Sequence, residues 1–131
     1  MKTFIALVHR DDDSAYGIAF PDLPGCFSAA DDLSELLANA TEALELWFED
    51  QPLIDPRDLE TILPLVAADL RAGAFLISVP CIRRTTRQKR VNISLDSGTI
   101  DAIDMAAKGM KLTRSGFIAM ATANEIRGVN R

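Results

Sequence analysis

Nine consecutive residues set the pattern for the first half of this 131-residue chain: Phe20-Pro21-Asp22-Leu23-Pro24-Gly25-Cys26-Phe27-Ser28. The two prolines fix φ and have no backbone N–H to donate to a sheet, while Gly25 adds backbone freedom. This combination ends one strand near Phe20 and predicts a tight turn. A new strand is then expected over Cys26 to Ala29.

Two further strands are predicted on the N-terminal side of this turn. Phe4 to Val8 is a short apolar run, and Tyr16, Ile18 and Phe20 alternate along a second segment. The residues between these segments, 10–14, are polar. The two strands are therefore expected to form a hairpin.

A helix is predicted to follow the third strand. Asp32 and Glu35 have the spacing of a capping box, and Pro52 is placed to end the helix. Apolar residues recur between them at helical period. They are Leu33, Leu36, Leu37, Ala40, Leu44, Trp47 and Phe48.

Two more elements complete this half of the chain. Asp55 before Pro56 is typical of a helix start, so a second short helix is expected over Arg57 to Leu63, where Pro64 interferes. Phe75 to Val79 is rich in β-forming residues and predicts a last strand.

The charge distribution divides the chain in two. Residues 1–82 carry four Lys or Arg against fifteen Asp or Glu, a balance of −11, whereas residues 83–131 carry ten against four, a balance of +6. Residues 83–89 contain no apolar side chain and four positive charges, which is typical of an exposed linker. We therefore predict domains at 1–82 and 90–131, joined by a basic linker at 83–89.

The second domain is predicted to be one strand and two helices. Val91, Ile93 and Leu95 alternate with polar residues, as in a strand with one buried face. Asp96 or Ser97 is suited to cap the first helix, and Thr113 or Ser115 the second. A unit of about 40 residues is usually too small to be stable alone. We expect a two-fold dimer in which the strands of two chains pair antiparallel.

If the strands pair in this way, their solvent-facing side is predicted to bind DNA. Arg90, Asn92 and Ser94 of both chains would share one solvent-facing ribbon, which fits the major groove and can contact base edges. Thr113-Arg114-Ser115 opens the second helix, where backbone N–H groups and the helix dipole favour a phosphate. The alternative is that the polar side chains are only the solvated face of an ordinary edge strand.

Residues 89–128 resemble a ribbon-helix-helix DNA-binding domain. The resemblance lies in Arg90-Val91-Asn92-Ile93-Ser94-Leu95, followed by Ile100, Ile103, Gly109 and Leu112-Thr113-Arg114-Ser115-Gly116-Phe117-Ile118. It implies that Arg90, Asn92 and Ser94 contact bases, and that Thr113, Arg114 and Ser115 contact the phosphate backbone. Gly98 and Gly116 depart from the pattern, because each replaces a residue of better helix propensity.

The first half of the chain resembles the HicB family of antitoxins. The similarity covers residues 3 to about 50 and lies in the run from Phe20 to Ser28 joined to the helix that begins with Leu33-Ser34-Glu35-Leu36-Leu37. It implies an α+β fold with a partial RNase H-like β-β-β-α-β domain that has lost nuclease function. It also implies binding to a HicA-like RNA-cleaving toxin and repression of the chain's own operon. A toxin that binds RNA is expected to be basic, and the acidic charge of residues 1–82 would attract such a partner.

Several other functions lack support in the sequence. No apolar run approaches the length of a membrane span, and no nucleophile–base pair, phosphate loop or metal-ligand spacing is present. Asp11-Asp12-Asp13 is interpreted as a polar turn rather than a cation site. We expect a non-enzymatic cytoplasmic protein without a cofactor, a homodimer or higher oligomer that binds a toxin and operator DNA. The toxin-contact residues are not assigned. A free-standing DNA-binding regulator and a surviving nuclease are the alternatives.

Overall fold

The computed structural model describes residues 1–10, 14–83 and 87–128. The chain forms two compact units, Met1–Arg83 and Arg84–Arg131, which we call unit 1 and unit 2. The residues interpreted as a polar turn, Asp11 to Asp13, and positions 84–86 of the predicted linker lie outside the described residues.

Unit 1 contains a four-stranded antiparallel sheet. Its strands are β1 (Lys2–Arg10), β2 (Tyr16–Ala19), β3 (Phe27–Ala30) and β4 (Phe75–Cys81), in the order β3-β2-β1-β4. The predicted hairpin is confirmed, with Leu7 opposite Ala19. The last strand pairs with the first, which places Leu7 opposite Leu76 as well.

The turn between β2 and β3 is built by the nine-residue segment. Leu23 N–H donates to the Phe20 carbonyl at 3.0 Å, and Cys26 N–H donates to the Leu23 carbonyl at 3.0 Å. Gly25 has a φ of +97°, which a residue with a side chain rarely adopts. Because the Cys26 N–H is used inside the turn, β3 begins at Phe27, one residue later than predicted.

One face of the sheet packs against a long helix, α1 (Leu36–Asp50). Phe4 of β1 meets Phe48 of α1, with ring centroids 5.4 Å apart. The predicted apolar stripe is largely confirmed, since Leu36, Ala40, Leu44 and Phe48 are buried. The exception is Leu33, which lies exposed in a 3-10 helix (Leu33–Glu35) that precedes α1. Asp32 caps that short turn by accepting from Ser34 N–H.

The other face is partly covered by a second helical layer. It comprises α2 (Leu59–Ile62), a 3-10 helix (Leu63–Val66) and α3 (Ala67–Arg71). Ile62 and Val66 pack with Leu7 in a second core cluster. The two clusters together hold the sheet between helices.

The predicted start of this second layer was wrong. Asp58, not Asp55, caps α2, and it accepts hydrogen bonds from the Thr61 backbone N–H at 2.8 Å and the Thr61 hydroxyl at 2.7 Å. Asp55 instead pairs with Lys2 of β1. The predicted end of this helix is confirmed, since α2 stops at Ile62, and Pro64 lies in the first turn of the 3-10 helix that follows, where a proline gives up no needed donor.

Unit 2 contains two helices, α4 (Ser97–Gly109) and α5 (Arg114–Arg127). Asp96 caps α4 by accepting from Thr99 N–H at 3.0 Å, and Thr113 caps α5 by accepting from Gly116 N–H at 3.0 Å. These caps were among the predicted alternatives. The predicted strand is not formed in the single chain, where residues 87–96 are neither helix nor strand. A strand needs a hydrogen-bonded neighbour, and unit 2 alone offers none in its described part.

Candidate nucleic-acid interface

An open cleft of about 1120 Å³ lies in unit 2, between residues 88–93 and the start of α5. Five of the six residues predicted to contact DNA line it: Arg90, Asn92, Thr113, Arg114 and Ser115. The sixth, Ser94, is exposed but is not part of the lining. The fold thus brings together residues that are more than twenty positions apart in the sequence.

The cleft lining carries positive charge. Lys89, Arg90 and Arg114 contribute cations, and the lining contains no acidic residue. Asn92, Thr113 and Ser115 add groups that both donate and accept hydrogen bonds. A surface of this composition is suited to a nucleic acid, because the cations can contact phosphates and the polar groups can contact base edges.

The start of α5 is capped by the Thr113 side chain, which lies close to Gly116. The first N–H groups of a helix have no partner within the helix, and Thr113 satisfies one of them, that of Gly116. A Cβ added at Gly116 would lie 3.1 Å from the Thr113 hydroxyl oxygen, tighter than an ordinary contact. Gly116 therefore keeps the capping hydroxyl close to the helix, which explains the departure seen in the sequence.

Arg114 is held by an acidic residue that sequence reasoning did not single out. Its Nε and Nη2 donate to the two carboxylate oxygens of Asp104, each at 2.8 Å. This pair lowers the pKa of the Asp104 carboxyl, chiefly through the hydrogen bond from Arg114, and raises the pKa of Arg114 for the same reason. Ten residues separate the two, on different helices, so no local pattern signals the pair.

Unit 2 exposes the apolar side chains that the predicted strand was expected to bury. Val91, Ile93 and Leu95 are 71%, 60% and 42% exposed. Among residues 87–128, only Ala107 is buried. The single chain therefore leaves unit 2 without the apolar core that a folded domain requires.

Three side chains of unit 1 that could take part in chemistry, those of Asp22, Cys26 and Cys81, are shielded from solvent. The Asp22 carboxylate, only 3% exposed, pairs with Arg57. Burial raises the pKa of the Cys26 thiol to about 11 and also raises that of Cys81. Over the described residues, no three His, Cys, Asp or Glu side chains come together in a way that would bind a metal. In the same part of the chain, no helix has the length and apolar character to cross a membrane.

Comparison with known proteins agrees with this fold. The chain is 28% identical over 121 residues to an uncharacterised 14.9 kDa protein from the rep–hol intergenic region of Haemophilus phage HP1, a match that covers 87% of this chain and 90% of that protein. The crystal structure of the antitoxin HicB from Burkholderia pseudomallei is 28% identical, with a TM-score of 0.53 over 93% of this chain and 96% of that chain. A chain of the HicA3–HicB3 toxin–antitoxin complex has a similar fold, with a TM-score of 0.50 and 22% identity over 62% of this chain and 99% of its own length.

The architecture is thus that of HicB structures, a mixed α and β fold around a four-stranded antiparallel sheet. Residues 4–122 match the model of a family described as the HicB-like antitoxins of bacterial toxin–antitoxin systems. Since the match spans most of the sequence, the chain belongs to the HicB-like antitoxin family.

Proposed function

We propose that this chain binds and neutralises a HicA-like mRNA-cleaving toxin through residues 1–82, and that residues 90–131 repress its own operon by binding DNA. Family membership supports the first part, as does the acidic balance of residues 1–82, which attracts a basic RNA-binding partner. The HicA3–HicB3 complex provides a precedent for such a pairing in a protein of similar fold. The toxin and the operator DNA would both be bound in the bacterial cytoplasm.

The observation that carries the DNA-binding part is the basic cleft of unit 2, which gathers Arg90, Asn92, Thr113, Arg114 and Ser115. We infer a ribbon-helix-helix domain in which Arg90, Asn92 and Ser94 contact bases, with the start of α5 against the phosphate backbone. The exposed apolar edge at residues 91–95 supports pairing with the same segment of a second chain. That pairing would turn residues 90–95 into a two-stranded ribbon of a width that fits the major groove.

Base contact is tested by a gel-shift titration on the promoter upstream of this gene, at a fixed and stated salt concentration. The Arg90→Ala and Asn92→Ala double variant should weaken specific binding by about 1–3 kcal/mol for each bidentate pairing with a base that it removes. Lys108→Ala, on α4 away from the cleft lining, is a control that removes one positive charge. Equal affinity of the wild type and the double variant would contradict the assignment of base contacts.

Dimerisation is tested by light scattering coupled to gel filtration. Ile93→Asp should shift the chain from dimer to monomer, because it places a charge in the proposed apolar interface. Leu46→Asp on α1 is a matched control, since Leu46 is 57% exposed and Ile93 60%. A wild-type chain that runs as a monomer, or an Ile93→Asp chain that stays dimeric, would count against the proposed pairing.

We also propose that the chain is not an enzyme and that unit 1 is an RNase H-like domain without nuclease function. Its first strand, β1, carries no carboxylate in its sequence, whereas metal-dependent nucleases use clustered carboxylates. The Asp22 carboxylate is occupied by Arg57. Magnesium- or manganese-dependent RNA cleavage by the purified chain, abolished by Asp22→Asn but not by Arg57→Gln, would overturn this proposal.

The toxin partner distinguishes this proposal from a free-standing DNA-binding regulator. The probe is a HicA-like protein encoded beside this gene, purified as a variant that does not arrest growth. We expect the two proteins to co-purify and to bind in calorimetry. Operator binding without any such partner would instead favour the regulator.

A further inference from the structure

The bidentate pair between Arg114 and Asp104 is the least expected feature of the candidate interface. Arg114 lines the basic cleft, whereas Asp104, on α4, does not. The carboxylate binds the Nε and Nη2 edge of the guanidinium. Two N–H groups on one edge of a guanidinium form the fork with which arginine binds a phosphate or a carboxylate.

The pair changes the charge that the cleft presents to a ligand. Three cations line the cleft, Lys89, Arg90 and Arg114, and one of them is neutralised at hydrogen-bond distance. A phosphate that approaches Arg114 must displace a carboxylate or bind the remaining Nη1 edge beside a like charge. Either course makes the contact weaker than one with a free arginine.

We propose that Asp104 limits the affinity of this protein for DNA by occupying the guanidinium of Arg114. The inference rests on the DNA-binding function proposed above and adds a residue that tunes it. Phosphate contacts carry no sequence information, so Asp104 weakens binding to operator and to unrelated DNA alike. Asp104 lowers the contribution of phosphate contacts to DNA affinity and leaves the base contacts of the ribbon unchanged.

A purely structural role for the pair makes a different prediction. Both side chains are about half exposed, and exposed ion pairs add little to stability. If the pair served only to join α4 to α5, loss of Asp104 would leave DNA binding unchanged or weaken it. The sign of the change therefore separates the two roles.

The experiment uses the full chain and measures DNA affinity by fluorescence anisotropy across a series of salt concentrations. The probes are a duplex from the promoter upstream of this gene and a duplex of the same length with scrambled sequence. The variants are Asp104→Asn, Arg114→Gln and the double variant. Asp101→Asn is the matched control, because it removes one negative charge from α4 one turn away from Asp104.

We expect Asp104→Asn to bind both duplexes more tightly. Each chain of the proposed dimer would add one phosphate contact, so the gain should be up to about eightfold per chain at 0.1 M salt, and the log–log salt dependence should steepen by about 0.9 per chain. Asp101→Asn should give a smaller gain. In the Arg114→Gln background the gain from Asp104→Asn should fall to that of Asp101→Asn. Asp104→Ser should reproduce the gain, and thermal melts identify any variant that is not folded.

Two results would overturn the inference while leaving the proposed function intact. One is wild-type binding with no gain in Asp104→Asn beyond that in Asp101→Asn. The other is a gain that persists in full in the Arg114→Gln background. Failure of the wild type to bind either duplex would instead overturn the DNA-binding proposal, and this inference with it.

Discussion

Asp22 and Arg57 lie 35 residues apart in sequence and are joined through both carboxylate oxygens of the aspartate. The Arg57 backbone N–H donates to Oδ2 at 3.0 Å, and the Arg57 Nε donates to Oδ1. Arg57 Nη2 also donates to the Pro21 carbonyl at 3.1 Å. This contact fastens the proline-rich turn between β2 and β3 to the segment that enters α2.

The first prediction concerns the stability of unit 1. Asp22→Ala should lower its free energy of unfolding by about 1.5–3 kcal/mol, because it removes hydrogen bonds to a charged group at a shielded site. Denaturant titration followed by tryptophan fluorescence measures the change, since Trp47 is the only tryptophan. Asp31→Ala, at an exposed position just after β3, is the control and should change little. Equal stability of the two variants would show that the Asp22 contact contributes nothing.

The second prediction compares two leucines of α1 that are two residues apart. Leu44 is fully buried against the sheet, whereas Leu46 is exposed. Leu44→Ala should cost about 2–5 kcal/mol through reduced burial and the cavity it leaves. Leu46→Ala should change stability by less than about 0.5 kcal/mol. Similar losses in both variants would contradict the orientation of α1.

The third prediction concerns the reactivity of Cys26. Burial raises the pKa of its thiol to about 11, so only about 0.1% is thiolate at pH 8. Alkylation by iodoacetamide, followed by mass spectrometry, should be slow in the native protein and fast in denaturant. In the native protein its rate should rise about tenfold for each pH unit in the alkaline range, as long as the fold is intact. Rapid labelling of native Cys26 at pH 7 would contradict its burial.

The fourth prediction concerns acid unfolding of unit 2. Hydrogen bonds from the Thr99 hydroxyl and backbone lower the pKa of Asp96. A lowered folded-state pKa means that the cap stabilises the fold above the ordinary pKa of aspartate, near 4. That stabilisation is lost as the pH falls through the lowered folded-state value.

The test is helicity measured by circular dichroism between pH 7 and pH 2. Asp96→Asn should be less stable than the wild type at pH 7 and should show a smaller loss of stability on acidification. Asp101→Asn, further along the same helix, should keep the wild-type profile. The negative charge of Asp96 would contribute nothing to stability if this variant matched the wild type at every pH.

Local patterns in the sequence predicted most elements of unit 1. A short apolar run placed β1, alternation of apolar residues placed β2, and a segment rich in β-forming residues placed β4. The helical spacing of Leu36, Ala40, Leu44 and Phe48 identified α1. These features depend on residues close in sequence, because each strand or helix needs only one apolar side to pack. The turn segment was predicted for the same reason, since proline and glycine restrict the local backbone directly.

The errors and omissions arise from contacts between distant residues. Asp55 has the local signal of a helix cap, but it pairs with Lys2 on β1, and Asp58 caps α2 through Thr61. The pairs of Asp22 with Arg57 and of Asp104 with Arg114 likewise join separate elements and leave no pattern in the sequence. The strand predicted at residues 90–95 requires a neighbouring strand, which the single chain does not supply.

The central claim, that this chain is an antitoxin, is tested most directly by growth rescue. A HicA-like protein encoded beside this gene is induced in bacteria with and without the chain, and optical density is followed. We predict that the small protein alone arrests growth and that co-expression of this chain restores it. Growth arrest that persists when both proteins accumulate as folded products would contradict the claim.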